Sequence, residues 1–178
     1  RNGLMWIGTK GAGVFLADTH ARSFHTFHTH NSQTLFTDYV STLYVEENGA
    51  IWAGFGYGMD YYYKDKTTNV VSTPRPYNIS YSKLTQEILL TAHDEGVITC
   101  RKGKVVNQYT TDNCGFIPHN LVHMVREDSK GNWWLGTYMG LSVRYKDGRE
   151  YCFNQLEGID GLLSKEIICL AEGLDGSL

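Results

Sequence analysis

The chain has 178 residues, 42% of them hydrophobic and 13% aromatic. That is enough for one ordinary domain with a real core and excludes a disordered segment. Its net charge of −3 lacks the basic footprint of a nucleic-acid-binding protein, and no apolar run approaches the roughly 20 residues that span a bilayer. Glycine is plentiful at 19 and proline scarce at 3, the balance expected of many tight turns between short strands.

In chain order, the first element is "GLMWIGTKGAGVF" from Gly3. Trp6 stands three residues after Gly3 and is followed two residues later by Gly8. "GTKGAG" (Gly8–Gly13) lacks the Gly-Lys-Ser/Thr ending of a phosphate-cradling loop and no helix follows it. "FHTFHTHN" (Phe24–Asn31) places His28 and His30 two apart, a spacing that puts both on one face of a strand. No aligned Asp, Glu or Cys completes a metal site there, so the stretch reads as a solvated strand end and loop.

"GAIWAGFGYGMDY" from Gly49 repeats the first element, with Trp52 and Gly54 in the corresponding places. The tyrosine run that follows (Tyr57–Asp65) reads as a strand with Tyr61 and Tyr63 on one side and Tyr62 on the other. "QEILLTAHDEGVITC" from Gln86 is a degenerate third copy with Leu89 in the tryptophan place. "GNWWLGTYMGLSVRY" from Gly131 is the fourth, carrying Trp134 and Gly136.

The segments before these copies repeat too: Val40–Gly49, Val122–Gly131 and Ile167–Gly176 align without gaps. Repeat units therefore run over about 1–46, 47–84, 85–129 and 130–176, with the opening strand of a further unit at 167–172. A period of this length suits a propeller blade, and no 12-residue stretch shows a helical apolar face. Each unit reads as four antiparallel strands: Val122–Glu127, Trp133–Thr137, Leu141–Tyr145 and Glu150–Phe153 in the best copy. We call these strands A to D. The turn between A and B is D-S-K-G, with Asp128 at its first position, and a longer loop, Asn154–Ser164, leads to the next strand A. The fold class is all-β, a β-propeller fragment of about four four-stranded antiparallel blades.

On this reading Trp6, Trp52 and Trp134, with Gly8, Gly54 and Gly136, are structural. The glycine admits the neighbouring sheet and the indole fills the space beside it. The connections from B to C carry Lys10, Gly56, His93 and Tyr138 at aligned positions, with Tyr57 and Met139 adjacent. They differ between units while the flanking strands do not, which makes Lys10, Tyr57, His93, Tyr138 and Met139 the candidate ligand-binding residues. His119 and His123, with Asp112 upstream, invite a catalytic reading but come without a nucleophile in a recognisable setting. Cys100, Cys114, Cys152 and Cys169 form no C-x-x-C pair and read as free thiols. Nothing in the sequence asks for a cofactor or metal.

The pattern Val122, Val125, Glu127, Asp128, Gly131, Trp134, Leu135, Gly136, Thr137, Gly140, Leu141, repeated at Gly3, Trp6, Ile7, Gly8, Thr9, Gly13 and Val14, resembles the two-component-regulator propeller repeat. The second copy departs at Ala53 and Phe55, and the third at Leu89 and Thr91. The resemblance implies the periplasmic sensor part of a membrane-bound hybrid two-component histidine kinase, non-catalytic in itself. It also implies an oligosaccharide ligand and a dimeric sensor, with the membrane reached only through other parts of the parent.

With no opening Met and no signal-peptide pattern at Arg1, the expectation is a piece of a longer protein. Such a piece either self-associates through its terminal blades or closes a small ring, Ile167–Leu178 supplying strand A to Gly3–Thr9. The other functional readings are a structural or dimerisation scaffold whose ligand sits elsewhere, and a propeller-type lyase.

Overall fold

Short runs rich in β-branched and aromatic residues, each closed by a glycine-bearing turn, give fifteen strands that pair only with their sequence neighbours. The computed structural model describes residues 3–18, 20–28, 37–64, 66–72, 75–153, 164 and 166–177, and no helix occurs among them. The chain divides into two compact units, Arg1–Pro76 and Tyr77–Leu178.

The first unit holds a three-stranded sheet of β1 (Leu4–Gly8), β2 (Val14–Asp18) and β3 (Ser23–Phe27). Its second sheet has four strands, β4 (Val40–Val45), β5 (Ile51–Phe55), β6 (Gly58–Tyr63) and β7 (Lys66–Val71). The second unit holds the sheet β8 (Pro76–Ser82), β9 (Glu87–Ala92), β10 (Val97–Arg101) and β11 (Lys104–Tyr109). It also holds the sheet β12 (Val122–Glu127), β13 (Trp133–Thr137), β14 (Gly140–Arg144) and β15 (Glu150–Phe153). The ladders among the described residues are antiparallel meanders. The four-stranded blade of the sequence reading is thus present three times, and the first sheet has three strands. Residues 167–172, expected as an opening strand A, are not in a strand.

Strand-B glycines sit where another segment presses closest. A Cβ built at Gly136 would lie 2.6 Å from the Ile167 carbonyl oxygen and 3.0 Å from its Cγ2. At Gly8 it would lie 3.0 Å from Val40 Cγ1, and at Gly54 2.5 Å from Thr42 Cγ2 and 2.9 Å from Pro76 Cβ. The approach is sealed by a repeated backbone bond one residue later. The Val40 amide donates to the Thr9 carbonyl and the Ile167 amide to the Thr137 carbonyl, each at 2.9 Å. The degenerate copy has Thr91 here, fully buried, and its hydroxyl donates to the His123 carbonyl at 3.3 Å. A side chain is tolerated there because it supplies a bond where the other copies supply space.

The tryptophans divide differently from the sequence expectation. Trp52 is fully buried beside Tyr61, ring centroids 4.6 Å apart, whereas Trp6 and Trp134 are half-buried. In the last sheet it is the non-repeated Trp133 that enters the core, with Leu89, Val97, Phe116, Val125 and Leu135. All three indoles donate to an acid of the preceding strand or turn, Trp52 to Glu46 at 2.6 Å, Trp134 to Asp128 at 2.9 Å and Trp133 to Glu127 at 3.3 Å. Glu46 and Asp128 hold the same repeat position.

Asp128 organises that turn. It accepts from the Lys130 and Asn132 amides and from the Asn132 side chain, while the Gly131 amide donates to its carbonyl. The aligned Gly49, Gly131 and Gly176 all have positive φ, 85°, 86° and 80°, which a side chain would strain. Burial pushes the Asp128 carboxyl up, but the bonds from Trp134, Asn132 and Lys130 outweigh it and hold the group below its ordinary value.

The neighbouring glutamate has a different task. Glu127 accepts from the Lys83 and Leu84 amides at 2.9 and 3.2 Å and from the Ser82 hydroxyl, capping the turn between β8 and β9. Glu172, its repeat equivalent, accepts from the Ser129 amide and hydroxyl. Each of these two carboxylates therefore locks the turn of the sheet before it. In the Val40–Gly49 copy the position is Val45, which has no carboxylate to offer.

The side-chain alternation read for the tyrosine run is observed: Tyr61 and Tyr63 are ring neighbours at 6.3 Å, and Tyr62 meets Phe27 instead. All four cysteines are free; Cys100 is buried, and burial, followed by the nearby Glu87 charge, pushes its thiol up to about 12.

Two outcomes test this account. Gly136→Ala is expected to cost about 1–3 kcal/mol in urea unfolding through overpacking against Ile167. Gly56→Ala, where a Cβ meets nothing within 4 Å, stays within about 0.5 kcal/mol of the parent. The stability contributed by Asp128 is in place above the ordinary carboxyl value of 3.8 and is lost as pH falls through the lower folded value. The parent's urea midpoint is therefore expected to fall between about pH 6 and pH 3 by more than that of Asp128→Asn.

Candidate functional site

In the first and last copies the B-to-C connection is built by the threonine that follows the strand-B glycine. Thr9 Oγ1 donates to the Gly13 carbonyl and Thr137 Oγ1 to the Gly140 carbonyl, both at 2.8 Å. The Ala12 and Met139 amides donate back to those hydroxyls. This frame leaves the intervening side chains free of structural duty, which is why they vary.

In the first unit, Lys10 forms an isolated bridge with Tyr39, and the Gly11 and Gly13 amides both donate to the Asp38 carbonyl. Tyr57 projects from the turn between β5 and β6 and is 86% exposed.

In the second unit the candidates gather more tightly. His93 stands at the β9–β10 turn with Nδ1 3.1 Å from Asp94 Oδ2, and its ring is 6.3 Å from Tyr77. Tyr77 in turn lies 5.6 Å from the His123 ring, whose Nε2 is 3.0 Å from Glu166 Oε1. His119 Nδ1 accepts from the Leu121 amide, and its ring is 5.4 Å from Tyr138. The Tyr138 amide donates to the Leu121 carbonyl, so Tyr138 and Met139 sit beside the residues leading into β12. Tyr77, Tyr138 and Met139 are 37%, 50% and 43% exposed. The result is two groups, Tyr77 with His93 and His123 beside Asp94 and Glu166, and His119 with Tyr138.

His123 reaches this place through a β-bulge. The β12–β13 register shifts between Val122 and Met124, and the β4–β5 register shifts at the same repeat position, between Val40 and Thr42. A bulge re-aims the extra residue's side chain. In the first unit that residue is Ser41, spent on bonds to the Gly54 and Pro76 carbonyls; in the second it is His123.

The structure thus places His93 with His123, and Tyr138, next to Met139, with His119; Tyr77, Asp94 and Glu166, which the sequence did not single out, belong to the first group. Asp112 pairs with neither histidine among the described residues, its amide bonding Thr110 Oγ1. His30 lies outside the described residues, and no metal-holding group of His, Cys, Asp or Glu occurs among those described.

Residues 117–139, which carry His119, His123 and Tyr138, match the two component regulator propeller family. Solved structures agree on the fold. The extracellular domain of a hybrid two component system, BT4673 of B. thetaiotaomicron, is 14% identical with a TM-score of 0.74. That match covers 98% of this chain and 24% of the larger one. The extracellular domain of BT3049 from the same organism is 18% identical with a TM-score of 0.65, covering 84% and 22%. Virginiamycin B lyase from Staphylococcus aureus, an enzyme, is 14% identical with a TM-score of 0.65, covering 88% and 54%. This chain thus spans under a quarter of the two sensor domains. No curated protein matches it.

Proposed function

We propose that this chain is a ligand-recognising segment of the periplasmic propeller of a two-component receptor, and that it reads an oligosaccharide without chemistry of its own. The observation that carries the reading is the grouping of Tyr77 with His93 and His123, together with the His119–Tyr138 pair, in the second unit. Sugars present apolar C–H faces and rings of hydroxyls. Open aromatic faces suit the first, and imidazole nitrogens beside Asp94 and Glu166 suit the second. The likeness to extracellular sensor domains supports the extracytoplasmic setting.

The expected outcome is saturable oligosaccharide binding to the chain by calorimetry. His93→Ala and Tyr138→Ala each weaken it about tenfold or more, the loss of roughly 1.4 kcal/mol. Unchanged affinity in both variants removes both groups from the site and leaves a scaffold role.

A further inference from the structure

A second site lies at the opposite ends of the second unit's strands, by the turns that join A to B and C to D. It does not depend on the oligosaccharide reading. Leu84, Thr85 and Tyr109 from one sheet and Trp133, Arg144, Tyr145 and Lys146 from the next line a groove of about 160 Å³. We propose that this groove binds a small carboxylate carried on an aromatic ring.

The apolar part of the argument is the lining. Trp133 is 5% exposed and stands edge-on to Tyr109, centroids 6.0 Å apart. Leu84 is 48% exposed although it borders this cluster. The volume suits a single ring, and most of the surface offered to it is carbon.

The charged part is the rim. The Arg144 guanidinium lies 5.6 Å over both the Tyr109 and Phe116 rings, which fixes its position. Its nearest carboxylate is Glu150, at 3.7 Å from Nε. Lys146 rests its stem along Gly131 and enters no ion pair among the described residues. Asp147 is engaged by Arg149, and Glu127 by the turn it caps. With Arg144 paired to Glu150, the Lys146 ammonium is the cationic charge left without an ion pair among the described residues beside the aromatic pocket. A carboxylate between Arg144 and Lys146, with its ring against Trp133 and Tyr109, uses each of these features. A sugar ring would leave most of its hydroxyls facing carbon.

Phenylacetate is the probe, titrated into the full 178-residue chain with tryptophan fluorescence and calorimetry as readouts. The expected result is saturable binding that Lys146→Gln and Arg144→Gln each weaken about tenfold, with benzyl alcohol at least about tenfold weaker. Lys146 is exposed, so its variant folds normally and decides the matter if Arg144→Gln does not. Tyr138→Ala leaves this binding unchanged, which separates it from the tip residues. No saturable binding up to about 10 mM, equal binding of benzyl alcohol, or glucuronate binding as well as phenylacetate overturns the proposal.

Discussion

The architecture rests on one contact: a strand-A segment lying so close to the middle of a preceding strand B that no side chain fits between them. At Gly136 the obstruction is the Ile167 carbonyl itself, 2.6 Å from where a Cβ would stand. Backbone against backbone cannot be relieved by a rotamer change, so the position is closed to larger residues unless the geometry alters. Thr91 shows the one alternative used here, with its hydroxyl bonded to the facing carbonyl. From that contact follow the amide bond to the end of strand B, the depth at which strand A begins, and the height at which the tip residues emerge.

A second layer of order is electrostatic and runs along the other ends of the sheets. Two adjacent acids in the best repeat do separate work. Asp128 folds its own turn and receives the indole of Trp134. Glu127 reaches the turn of the sheet before it. The pair links local turn formation to sheet-on-sheet packing, because the Glu127 bonds exist only once the neighbouring turn is made. Carboxylates accepting several backbone amides in this way are among the stronger polar contacts available to a fold.

The division of labour between the two ends of the strands explains how such a scaffold accommodates recognition. The A-to-B ends are fixed by the acids and by positive-φ glycines. At the B-to-C ends of the first and last copies the threonine frame carries the constraint, leaving tip residues such as Tyr138 and Met139 free to differ. The second unit uses that freedom most fully, because its bulged residue is a histidine rather than the serine that bonds inward in the first unit.

Much of this was legible in the sequence. Three of the four strands read in the Val122–Phe153 copy have the boundaries observed, and the role of Gly8, Gly54 and Gly136 as points of close approach follows from their repetition beside tryptophan. Repetition exposes whatever every copy needs, and backbone proximity is such a need. What the sequence could not supply was anything made by residues far apart that occur once. Examples are the Tyr77–His123–Glu166 grouping, the burial of Trp133 rather than Trp134, and the Arg144 placement over two rings. Those depend on a one-residue bulge and on which rings pack together. Neither leaves a periodic trace, so only the packed tertiary structure decided them.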